Sequence, residues 1–155
     1  MASTAKALRL GSSAPKTARF RRTGESLGLS IDSVPEQIRE VMRGFRYQAL
    51  VAFAANSGVG LSALAETLGI PERTLARRRA SGRLAPEESE RLLRLSSIFE
   101  KAVELFEGDV PSAVNWLSTP KPALEGQPPL EYARTEVGAR QVENLIGRLE
   151  HGVFS

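Results

Sequence analysis

An all-α fold is what this sequence predicts, and three observations lead to it. Ala, Leu, Arg and Glu, all good helix formers, are abundant and recur at helical spacing. No segment alternates apolar and polar residues convincingly in the manner of a strand. Apolar residues make up 41% of the 155, enough to supply a real core and to argue against global disorder.

The first element is a basic arm over residues 1–34. Lys6, Arg9, Lys16, Arg19, Arg21 and Arg22 face only Glu25 and Asp32 there, among many Ser, Thr and Ala. That composition buries too little surface to order itself, so the arm is expected to be flexible. Its excess charge is larger than the net +3 of the whole chain, which leaves the body close to neutral. The arm has the Arg-rich, acid-poor look of a transit peptide but lacks the apolar core of a secretory signal.

Pro35 opens the first helix, in which Ile38, Val41, Met42 and Phe45 share a face, and Gly44 breaks or kinks it. A second helix turns Tyr47, Leu50, Val51 and Ala54 inward and stops at Asn56-Ser57-Gly58, where Asn and Gly tolerate the left-handed conformation. Two short helices follow over residues 61–68 and 72–79, closed by Ser81-Gly82. Pro86 with Glu87, Glu88 and Glu90 starts a long helix with the stripe Leu92, Leu95, Phe99, Ala102 and Phe106, ended by Gly108. That helix is expected either to be wholly internal or to supply a two-fold interface as well. Asp109 caps a short helix through Trp116, and a stiff, proline-rich loop over 119–130 leads to the last helix. There Thr135 is the cap, Val142, Leu145, Ile146 and Leu149 are the inward residues, and His151-Gly152 is the end. The chain thus divides into the arm at 1–34, one helical module at 35–84 and another at 85–155.

The residues from Leu61 to Arg79 resemble a helix-turn-helix. Ala65 is small where two helices cross closely, and Gly69 suits a turn that needs positive φ. Leu64, Leu68, Ile70 and Leu75 fill the wedge. The second helix then offers Glu72, Arg73, Thr74, Arg77 and Arg78, with Ser62 at the start of the first, as candidate contacts to DNA. Arg78 occupies a position where such motifs usually place an apolar residue. A plain helical hairpin with a solvated arginine run satisfies the same pattern.

The composition also bounds the chemistry. Without cysteine there are no disulfides, thiol nucleophiles or Cys-ligated zinc, and the single histidine, His151, cannot build a multi-histidine metal site. No nucleophile, base and orienter stand out, so no enzyme activity, cofactor or metal is expected. No apolar run is long enough to span a membrane, and a cytoplasmic location is expected.

The second half carries a more specific resemblance. Trp116-Leu117, Pro120-Lys121-Pro122-Ala123-Leu124, Gly126 with Pro129-Leu130, Thr135-Glu136-Val137-Gly138 and Leu145-Ile146-Gly147-Arg148-Leu149-Glu150-His151-Gly152 follow one another in the order and spacing of the toxin-binding domain of the Xre/MbcA/ParS antitoxins. Lys121 and Gln127-Pro128 depart from the usual wording. The resemblance implies an antitoxin of a type II toxin–antitoxin pair. Its partner would be a toxin with a RES domain that consumes NAD, its cleft would be covered by this chain, and the helix-turn-helix would bind the operon's promoter as a dimer. Pro122, Leu124, Arg140, Glu143, Asn144, Glu150, Val153, Phe154 and Ser155 are the candidate toxin contacts. Trp116 fits either an interface or the core. The tail Val153-Phe154-Ser155 either folds back on Ile146 or Leu149 or enters the toxin's cleft. The rival reading is a stand-alone helix-turn-helix regulator whose C-terminal half only dimerises.

Overall fold

The computed structural model describes residues 15–152 and is helical throughout, with three isolated β-bridges and no strand among the described residues. Its elements are α1 (Val34–Arg43), α2 (Tyr47–Ser57), α3 (Leu61–Thr67), α4 (Glu72–Ser81), α5 (Pro86–Leu105), α6 (Val110–Ser118), α7 (Pro129–Tyr132) and α8 (Glu136–Glu150), with short 3-10 turns at Glu25–Leu27 and Pro122–Leu124. The 20 residues of α5 make it a rod of about 30 Å around which the others pack.

The helix ends follow the sequence signals. Asp109 accepts from Ser112 N–H at 3.1 Å, Thr135 Oγ1 accepts from Gly138 N–H at 3.0 Å, and Gly58 and Gly82 end α2 and α4 with positive φ. Gly44 ends α1, and a Cβ at that position would run into the Leu84 carbonyl oxygen.

One core runs the length of α5. Leu92, Ile98, Phe99, Ala102 and Val103 are buried on it, against Leu50 and Phe53 of α2, Val110 and Ala113 of α6, and Val142 and Ile146 of α8. The apolar stripe of α5 is therefore internal, and a two-fold interface on that stripe does not fit. Phe99 meets Phe53 edge-on, with centroids 5.1 Å apart, and Phe20 at 5.6 Å. The core is continuous across the turn at residues 84 and 85.

Two expectations change here. The flexible arm does not extend over residues 15–33, which form a strap running back along α5. Ala18 N–H donates to Gly108 O at 2.9 Å, and Phe20 packs on Phe99. Leu27 and Ile31 are buried. Glu100, itself buried, accepts from Ser26 Oγ, Ser26 N–H and Gly24 N–H at 2.6, 2.9 and 3.3 Å. A carboxylate on α5 that needs donors orders a segment whose own composition cannot do so. Residues 1–14 lie outside the described residues.

The second change is in α1. Ile38 and Met42 do not point inward; they are 58% and 69% exposed, while the polar Glu36, Gln37 and Glu40 are half-buried. Glu36 is held there by the N-terminus of the helix, accepting from Asp32 N–H at 2.9 Å while its own N–H donates to Ser33 Oγ at 3.2 Å. Phe45, beyond the break at Gly44, does go inward.

Candidate functional site

Helices α3 and α4 meet through a turn whose geometry its own residues dictate. Ala65, Leu64, Leu68 and Ile70 are buried, Gly69 has φ +72°, and Ile70 N–H donates to Ala65 O at 2.8 Å, which folds the chain back on itself. Leu75 packs inward, so α4 turns Glu72, Arg73 and Arg77 to solvent on one face, with Arg79 exposed beside them. Ser62 is exposed on α3. Thr74 is half-buried and accepts from Arg77 at 3.3 Å.

Arg78 is a correction to the sequence reading. Its Nε and Nη2 donate to the two oxygens of Glu88 at 2.8 and 3.1 Å, so its charge is spent on the first turn of α5 and not offered to DNA. Burial works against the charged form of Glu88, but Arg78, Ala85 N–H at 2.8 Å and the nearby Arg91 outweigh it and hold the carboxyl below its ordinary value. The hydrogen bond to Glu88 in turn raises Arg78 above the usual guanidinium value. This explains how a guanidinium fills a position usually apolar: it has a buried bidentate partner.

The second surface lies on α8. Val142, Leu145 and Ile146 are buried, and the opposite face carries Arg140, Glu143 and Asn144, with Glu150 about two turns beyond Glu143. Arg140 lies 3.4 Å from Glu136, and Glu143 pairs with Lys101 of α5. Gly147 stands on this same face with nothing within 4 Å of where a side chain would begin. The proline loop is pinned by Lys121 N–H donating to Gln127 O at 3.1 Å. Pro122 is exposed there, but Leu124, at 2% exposure, is committed to the core, so its side chain is no surface contact. Trp116 is half-buried against the core, with Lys121 Nζ 5.0 Å above its ring, and burial lowers the Lys121 pKa. Val153, Phe154 and Ser155 lie outside the described residues.

The two surfaces are carried by different helices packed on α5, with Arg140 and Glu143 lining one groove with Glu90, Leu93, Arg94 and Ser97. Helix α8 runs parallel to α5, since Arg94 donates to Arg134 O just before α8 and Lys101 pairs with Glu143 about two turns later. Its last turn therefore lies beside the end of α5, whereas Arg78 anchors α4 to the beginning.

This division of the molecule matches known families half by half. Residues 36–97 match the antitoxin Xre-like helix-turn-helix domain, and residues 101–152 match the antitoxin Xre/MbcA/ParS C-terminal toxin-binding domain. A protein described as antitoxin Xre from Yersinia enterocolitica is 38% identical over 138 residues, spanning 88% of this chain and 93% of that protein. The chain belongs to the Xre antitoxin family. Antitoxins Xre of Photorhabdus laumondii and Pseudomonas putida are 40% and 36% identical over 88 and 84 residues, covering 56% and 54% of this chain and 60% and 52% of theirs. Membership gives the chain a place in a toxin–antitoxin pair, and the family matches name no enzyme. The seam between the two matched regions falls inside α5, so both halves of this antitoxin-family chain share one rod. Among the described residues no helix is long and apolar enough to cross a membrane.

Sequence reasoning missed the strap, the Glu100 clasp and the Arg78–Glu88 pair. The first two join residues more than seventy positions apart, with no local signal. The third had one: an arginine at an apolar position asks for a buried acid.

Proposed function

We propose that this chain neutralises a RES-domain toxin that consumes NAD, by laying α8 and the proline loop over the toxin's nucleotide cleft, and that α4 binds the promoter of its own operon in the cytoplasm. The observation that carries the reading is the outward face of α8. Arg140, Glu143, Asn144 and Glu150 surround a bare glycine on a helix whose other face is locked into the core. A neutraliser needs such a preformed surface and no chemistry of its own. The RES identity follows from the family resemblance. For DNA, Arg73 and Arg77 are the cations that α4 turns to solvent on one face, with Ser62, Thr74 and Glu72 at its edges.

The test is co-expression with the product of the neighbouring gene, followed by an NAD-depletion assay with and without this chain. Co-purification and restored NAD are expected. A neighbour that neither binds nor depletes NAD overturns the RES assignment. The tail belongs to the same proposal: Val153, Phe154 and Ser155 enter the cleft and compete there with the substrate. Deleting residues 153–155 weakens neutralisation at unchanged helicity; unchanged inhibition removes the tail from the mechanism.

A further inference from the structure

Between the turn that follows α3 and the end of α7 lies a hollow of about 180 Å³, with α5 as its base. Its floor is apolar, made by Leu68, Leu95 and Leu130, all buried. Its rim is cationic: Arg91 and Arg94 stand one turn apart on α5, and Arg134 follows α7. No carboxylate lines it. The acids that do reach these arginines approach from outside the hollow. Arg94 Nη2 donates to both oxygens of Glu90 at 3.0 Å, and Arg134 Nη1 lies 3.4 Å from Glu131. Arg91 acts on Glu88 only at a distance and has no ion pair among the described residues. Two carbonyls hold the rim in place: Arg91 Nη1 donates to Leu68 O at 2.9 Å, and Arg94 Nη1 to Arg134 O at 3.3 Å. The remaining N–H groups of the Arg91 guanidinium are unspent.

We propose that this hollow binds a compact organic oxyanion, with its carboxylate or phosphate head between Arg91 and Arg134 and its short apolar body on Leu68, Leu95 and Leu130. Charge carries the choice of head. Guanidinium forks bind carboxylate and phosphate oxygens in pairs, and three like charges around a hollow without an acid are relieved by an anion placed among them. Size carries the choice of body. The hollow holds roughly six times the volume of one water, about 30 Å³, so a bare ion leaves its floor uncovered. It falls short of the roughly 300 Å³ at which sites begin to enclose drug-sized ligands, so a nucleotide does not fit. Arg91 and Leu68 belong to the region matched to the helix-turn-helix domain, and Leu130 and Arg134 to the region matched to the toxin-binding domain. An occupant therefore ties the turn after α3 to the end of α7, and both halves of the chain sense the supply of one small anion. The inference is independent of the toxin's identity.

Calorimetric titration of the full-length chain with phenyl phosphate, benzoate and the neutral benzyl alcohol is the test. At least one anion is expected to bind at a single site and the alcohol not at all, and the tighter anion names the head. Arg91→Gln and Arg134→Gln should each weaken binding about tenfold or more, the loss of one charge-assisted contact. Arg39→Gln, at an exposed arginine of α1, should leave it unchanged. Arg134 is itself exposed, so its variant keeps the test sound where Arg91→Gln disturbs the turn through Leu68. Hydrogen exchange at the Gly69 and Ala133 amides, on opposite sides of the hollow, should slow together when the anion is added. Absence of binding by both anions overturns the proposal. So does inorganic phosphate that binds as tightly as phenyl phosphate, which leaves the apolar floor without a part, and so do equal losses in all three arginine variants, which reduce the effect to net charge. If neither anion binds but a DNA duplex slows exchange at Gly69, the rim belongs to DNA phosphates and the proposal falls.

Discussion

The Arg78–Glu88 pair ties α4 to the first turn of α5, and its pH dependence follows from the direction in which Glu88 is held. A carboxyl with a lowered folded value contributes stability above its unfolded value of about 4.3, lost as pH falls through the folded value. Glu88→Gln is therefore expected to cost about 1–3 kcal/mol at neutral pH in urea melts, with the gap from wild type closing below about pH 4. A gap that stays constant down to pH 3 would show that packing, not charge, accounts for it. Gly138 is as tightly constrained. It follows the Thr135 cap by three, and a Cβ there would run into the Tyr132 carbonyl. Gly138→Ala should destabilise by about 2 kcal/mol or more and loosen the joint between α7 and α8, whereas Gly147→Ala, in open space, should raise stability by up to about 1 kcal/mol. Thermal melts of the two variants check this, and Gly147→Ala should also weaken toxin capture if a partner approaches that face.

Among the elements, the helix-turn-helix was legible because everything that shapes it lies within a few residues: Gly69 for the turn, Ala65 for the crossing, Leu64 and Ile70 for the wedge. Helix α1 was legible as an amphipathic helix but not in its orientation, since periodicity gives the phase of an apolar row and not what lies opposite it. Leu124 is a candidate toxin contact in the sequence, yet its side chain reaches the core from a 3-10 turn. The strap was not legible at all, because its order depends on an acid on α5. Burial pushes the Glu100 carboxyl above its ordinary value even though Ser26 and Gly24 donate to it. Glu100→Ala leaves those donors buried without an acceptor and should release the strap at a cost of about 1–3 kcal/mol. Faster hydrogen exchange at the Ser26 amide and new tryptic cleavage at Arg19, Arg21 or Arg22 would report it. Unaltered exchange at Ser26 would mean that the apolar contacts of Phe20, Leu27 and Ile31 hold the strap without the clasp.

For the molecule as a whole, the shared rod matters more than the chain turn at residues 84 and 85. Phe53 of the first half and Val142 of the second pack into one cluster with α5, so each half loses part of its core when cut away. Fragments 1–84 and 85–155 are each expected to be unfolded by circular dichroism, and the intact chain to melt in one transition; two separate transitions would restore the picture of independent modules. The sequence divides near residue 84 into two packed helical modules, and what it does not show is that they share one helix and one core. The strap adds a mechanical consequence. It enters at the end of α5, where Val110 N–H donates to Lys16 O, and runs back toward Glu100. A pull on the leading end therefore loads its bonds one after another, as in a zip fastener: first the pairs at Lys16 and Ala18, then Phe20 from Phe99, then the Glu100 clasp. An unfolding machine that takes hold of the chain from this side uncovers the aromatic centre of the core before it has moved either α4 or α8.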